Sequence, residues 1–178
     1  PHTARVGHVS GVFEGSRAST TDIVRKDFTN LTDFQGDNIT AGMSLKLTDS
    51  TIPTSNFLRA TFDASVSSSF TPLFGMSLSA SSTVFEFVLY DELTGSGDVT
   101  VTSTVALDTD WHDIQFVYDV SDGTVQTTLD GSNVGSAVAV AGTAISSSTY
   151  ITRFEIQNTS AVLTQASVHV DGVHLIVS

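Results

Sequence analysis

Cysteine is absent from this 178-residue chain, so no disulfide contributes to its stability. A domain of this length buries enough apolar surface to fold without such staples, and the zero neither requires nor excludes secretion. Cationic residues are scarce: seven Lys and Arg stand against nineteen Asp and Glu, a formal net charge of -12. That field repels phosphate backbones and excludes nucleic acid as a partner. No apolar run approaches the roughly 20 residues that a membrane-spanning helix needs, so membrane insertion is not expected. Strong helix formers are few, with only four Glu, and no window carries a 3.6-residue apolar stripe. Surface polarity comes from hydroxyls instead. Ser and Thr exceed a quarter of the chain, a coat that suits exposed strand faces and points to an extracellular or cell-surface location.

Apolar residues recur at a spacing of two. Between Ile39 and Thr48, Met43, Leu45 and Leu47 alternate with Ser44, Lys46 and Thr48. From Phe57 to Val66, Leu58, Ala60, Phe62, Ala64 and Val66 share one side. The run Val84 to Tyr90 puts Phe85, Phe87 and Leu89 on one face and Val84, Val88 and Tyr90 with Glu86 on the other, the pattern of a strand inside a sheet with both faces covered. Further strands are expected over Val99 to Leu107, Tyr150 to Gln157 and Ala166 to Val177. Turn signals separate them and no linker-like composition divides the chain. The reading is all-β: one two-sheet antiparallel jelly-roll sandwich over residues 21–178, preceded by a strand or arm in residues 1–20.

The stretch from Asp108 to Val134 organises the rest. Trp111 opens a strand in which Ile114, Phe116 and Tyr118 alternate with Asp113, Gln115, Val117 and Asp119. Ser121, Asp122 and Gly123 supply turn chemistry, Thr124 to Leu129 returns as a hairpin partner, and Asp130-Gly131 is a second turn signal. This order of Trp-His, alternating strand, turn, strand and Asp-Gly resembles the laminin-G-like and concanavalin-A-like jelly rolls of extracellular proteins. The resemblance covers residues 108–134 only and carries a fold rather than a reaction. It implies a secreted, bacterial surface protein, and it makes a bound calcium ion and glycan binding expectations to test.

Catalytic signatures are missing. Retaining glucanases of the concanavalin-like fold resemble one another in an E-x-D-x-x-E strand that sets two carboxylates about 5 Å apart. The nearest approach here, Glu86 with Asp91 and Glu92, has the wrong spacing. No G-x-S-x-G elbow supplies a nucleophile, so the chain is expected not to be an enzyme. Calcium needs only clustered oxygens, and Asp108, Asp110 and Asp113 are the metal candidates, with Asp33, Asp37 and Asn38 a second acidic group; no other cofactor is implied. His169 and Asp171 share a strand face, with His174 opposite unless Gly172 forms a bulge, and all three read as solvent-facing residues rather than ligands. Trp111, the sole Trp, is expected to pack over the sandwich end. Asn30, Asn38 and Asn158 begin N-x-[ST] sequons open to glycosylation.

Arg5, Val6, Val9, Val12 and Phe13 lie in a strand-like arm whose apolar residues do not share one face. Such an arm packs weakly on its own domain and is expected to complete a neighbour's sheet edge. The sequence therefore favours a non-catalytic extracellular structural protein, a filament subunit whose partners are copies of itself. The alternative is a carbohydrate-binding, lectin-like module whose partners are glycans. Pro1 is not a translation start, and a removed leader and C-terminal sorting tail are further expectations.

Overall fold

The computed structural model describes residues 4–5, 9–14, 22–27, 38–47, 57–66, 69–79, 81–89, 98–119, 121–139, 150–158 and 167–177. Every regular element in them is a strand, in the order β1 (Ala4–Arg5), β2 (Val9–Glu14), β3 (Asp22–Asp27), β4 (Ile39–Leu47), β5 (Phe57–Val66), β6 (Ser69–Ser79), β7 (Val84–Leu89), β8 (Val99–Ala106), β9 (Trp111–Asp119), β10 (Thr124–Leu129), β11 (Ser132–Asn133), β12 (Val138–Ala139), β13 (Tyr150–Asn158) and β14 (Ser167–Val177). They form two antiparallel sheets. An eight-stranded sheet runs β1-β14-β4-β9-β10-β11, with β2 also on β14 and β12 also on β10. A six-stranded sheet runs β3-β13-β5-β6-β7-β8. The chain is an all-β jelly-roll sandwich, as the period-two pattern predicts.

Alternation decides which face of each strand is dry. On β4, Ile39, Ala41, Met43, Leu45 and Leu47 point inward; on β9, His112, Ile114, Phe116 and Tyr118 do so. The six-stranded sheet answers with Leu58, Ala60 and Phe62, with Phe74, Met76 and Leu78, and with Phe85, Phe87 and Leu89. Phe116 is the point where the sheets meet, its ring 5.1 Å from Phe74, 6.0 Å from Phe87 and 6.2 Å from Phe62 between centroids. These are tilted and edge-on approaches, the geometry that aromatic quadrupoles favour. In β7 the outer residues Val84, Glu86 and Val88 are half-buried, so that strand has one dry face and one partly wet one.

Two turns follow from sequence chemistry. Asp130 and Gly131 both have positive φ, 51° and 74°, and close the β10–β11 hairpin with Leu129 opposite Ser132, the backbone that Asp-Gly accepts in a two-residue loop. Gly123, at φ 65°, closes the β9–β10 turn, where its N–H donates to the Asp119 carbonyl at 2.8 Å.

The N-terminal arm pairs within its own chain. Arg5 of β1 pairs with Ile176, and Val9, Val12 and Phe13 of β2 pair with Val173, His169 and Val168, all on β14 of the same chain. Val6 lies outside the described residues. Backbone pairing tolerates the absence of a single apolar face, because the ladder bonds themselves seat the strand. Among the described residues, no helix is long and apolar enough to cross a membrane.

Candidate functional site

The outward face of the eight-stranded sheet collects the polar chemistry. Since side chains alternate, burying His112 and Ile114 forces Trp111, Asp113 and Gln115 outward on β9. Register then aligns three strands into rows. Trp111 sits opposite Lys46, and Lys46 opposite His169. Asp113 faces Ser44, which faces Asp171; Gln115 faces Gly42, which faces His174. Trp111 is 50% exposed, and its indole meets the His169 ring edge-on at 6.4 Å. The expectation that Trp111 packs over the sandwich end is therefore corrected: the inward place at that end belongs to His112, one residue on.

His174 reaches this face through a bulge. The β14–β4 register shifts between Asp171 and His174, and Gly172 adopts φ 61°, a backbone that glycine takes without strain. The shift keeps Val170, Val173 and Leu175 in the core while His169, Asp171 and His174 all point outward. His174 Nδ1–H donates to the Gly172 carbonyl at 2.7 Å, which fixes the tautomer and leaves Nε2 with an open lone pair. The ring lies over Gly42, where an added Cβ would come within 2.5 Å of His174 Cε1. Asp113 Oδ1 accepts from the Ser44 hydroxyl, and Asp171 Oδ1 accepts from the Gly172 N–H at 2.6 Å.

The calcium candidates do not converge. Asp108 Oδ1 accepts from the Asp110 N–H at 2.8 Å and from His112 Nε2–H at 2.9 Å, whereas Asp113 turns to Ser44 on the outward face. Among the described residues no group of three or more His, Cys, Asp or Glu side chains could hold a metal ion; Asp33 and Asp37 lie outside them. What the acidic turns hold is a histidine. His112, 7% exposed, packs against Phe85 with centroids 4.6 Å apart and donates from Nδ1 to Asp130 Oδ2 at 2.7 Å. Asp130 Oδ1 also accepts the Asp113 N–H at 2.9 Å, tying the β10–β11 turn to β9.

This cluster predicts a pH profile. Burial disfavours the His112 cation, but the hydrogen bonds it donates to the Asp130 and Asp108 carboxylates, with their charge, outweigh it and raise the imidazole above its ordinary value of 6.5. The Asp110 N–H, then His112, lower Asp108 below its ordinary 3.8. A raised imidazole stabilises the fold fully below pH 6.5 and loses that contribution as pH rises through the folded value; a lowered carboxylate does so above 3.8 and loses it as pH falls. Urea midpoints should therefore fall on the alkaline side, and His112→Phe should flatten that limb. An unchanged limb in the variant would remove His112 as its cause.

Of the sequons, Asn38 is exposed just before β4, Asn158 ends β13, and Asn30 lies outside the described residues. A concavity of about 130 Å³ opens between β8 and the β10–β11 hairpin, lined by Thr102, Thr104, Ser132 and Asn133 among others. It carries no ionisable side chain. Sequence reasoning missed Lys46, Ser44 and Gln115, whose proximity arises from pairing between β4 and β9, some seventy residues apart in register.

No family model and no curated protein matches the chain. Solved structures do. A carbohydrate esterase of Shiga toxin-encoding bacteriophage phi24B superposes with TM-score 0.62 at 10% identity, over 99% of this chain and 90% of its own. Alginate lyase A1-II′, of polysaccharide lyase family 7, gives 0.55 at 18% identity, over 82% of this chain and 63% of its own. A botulinum neurotoxin type C structure described by its interaction with two ganglioside molecules gives 0.55 at 4% identity, over 97% of this chain and 43% of its own. The chain thus spans less than two thirds of the lyase and of the toxin. At such identities the likeness shows the fold alone, that of concanavalin-A-like jelly-roll sandwiches. The structures sharing it are mostly carbohydrate-active enzymes, with carbohydrate-binding toxin domains among them, and this overturns the expectation of a structural filament subunit.

Proposed function

We propose that the chain is a carbohydrate-binding domain, acting outside the cell, whose ligand lies across the outward face of the eight-stranded sheet. The observation that carries this reading is Trp111, half-exposed at the head of a polar face. An aromatic face stacks on the C–H face of a sugar ring while neighbouring polar groups take its hydroxyls. Lys46 and then His169 follow Trp111 across its row, and Gln115 and His174 continue the surface about 13 Å further along the strands, four residues at about 3.3 Å each. The named activities of the structural neighbours, on carbohydrate esters and alginate, and the toxin's ganglioside interaction support the same ligand class.

Trp111 is also the only Trp in the chain, so its fluorescence reports on this face alone. Titration with soluble polysaccharides should change its emission, and in affinity electrophoresis Trp111→Ala should bind at least about tenfold more weakly, a loss of about 1.4 kcal/mol, with unchanged thermal stability. Equal retardation of the variant would move the site elsewhere.

A catalytic reading is favoured by one observation, the Nδ1–H bond to the Gly172 carbonyl that fixes the His174 ring and leaves its Nε2 as the basic nitrogen, which is how a general base is oriented. Release of reducing ends from a polysaccharide, lost in His174→Gln, supports it; no release from any polysaccharide that binds leaves the domain a binding module.

A further inference from the structure

We infer that the ligand of this face is a neutral, hydroxyl-rich polysaccharide rather than a polyuronate; this deepens the proposed carbohydrate-binding reading and rests on it. Acceptors stay open on this face beside the N–H donors of Lys46, Gln115 and Trp111. Asp113 uses Oδ1 for the Ser44 hydroxyl and Asp171 uses Oδ1 for the Gly172 N–H, so the Oδ2 of each has no partner among the described residues. His174 Nε2 adds a third acceptor, because its proton is committed to Nδ1. The carboxylates sit in one row on either side of β4, about 9 to 10 Å apart at two strand spacings. Sugar hydroxyls donate to such oxygens, and a carboxylate accepts from ionless donors in charge-assisted bonds stronger than neutral ones.

A uronate offers a carboxylate in place of a hydroxymethyl group and so brings an acceptor and a negative charge to a face that already has both. Lys46 is the one lysine or arginine in the three rows and answers one such charge, against two aspartates. The formal charge of -12 on the whole chain opposes a polyanion further, over a Debye length of about 8 Å at physiological salt.

The test compares soluble neutral glucans, mannans and xylans with alginate, by affinity electrophoresis and Trp111 emission, at low and high salt. At least one neutral polysaccharide should bind, with alginate at least about tenfold weaker at low salt and the gap narrowing as salt rises, as screened repulsion requires. Asp113→Asn and Asp171→Asn should each weaken neutral binding severalfold and strengthen alginate binding at low salt. Alginate binding as tightly as the best neutral polysaccharide overturns this inference and leaves the binding face standing. If neither class is retarded or changes the emission, the carbohydrate-binding reading itself fails, and the inference with it.

Discussion

Phe116→Ala should destabilise the domain by about 3 to 5 kcal/mol, the usual loss for a buried Phe whose surroundings relax only partly. Phe116 is fully buried and is the ring of the eight-stranded sheet that touches Phe62, Phe74 and Phe87 of the other. Truncation leaves a void between β9 and three aromatic rings of the facing sheet, and neither sheet can close on it without breaking ladder pairing. Urea unfolding measures the loss, with Gln115→Ala, one residue away on the outward face, as a control within about 0.5 kcal/mol. Comparable losses at both positions would mean that the sheets do not meet through Phe116.

Gly75→Ala is expected to cost at least about 3 kcal/mol, at or beyond the top of the range for overpacked cores. A Cβ at Gly75, on β6, would lie 2.2 Å from the Ala60 carbonyl oxygen and 2.7 Å from Thr61 Cα. Both are backbone atoms of the paired strand β5, so no rotamer change relieves the overlap and the β5–β6 pairing must separate. The comparison is Gly131→Ala, which meets nothing within 4 Å and costs only the strain of φ 74°, about 1 kcal/mol. Equal urea midpoints for the two variants would show that β5 gives way at little cost.

The strands were legible because apolar residues spaced by two leave a local mark. Phe85, Phe87 and Leu89 share one face by period and are buried together, and the hairpin closes at Asp130-Gly131, a dipeptide whose backbone preference is local. The Gly172 bulge was legible only as a condition on where His174 points. Trp111 sets two local signals against each other: counting back by two from Ile114 places His112 on the dry face and Trp111 with Asp113 and Gln115, whereas the size of the indole argues for burial. That choice fell to His112, whose two N–H groups found Asp130 and Asp108.

The arm in residues 1–20 carried no strong preference of its own, so its partner depended on which sheet edge lay free. Composition and period thus settled that the chain is an all-β sandwich, because each depends on neighbours in sequence. The row of Trp111, Lys46 and His169 and the placing of β1 and β2 on β14 depend on register between strands far apart in the chain. Register is chosen by burying whole faces at once, a cooperative property of both sheets that no single strand encodes.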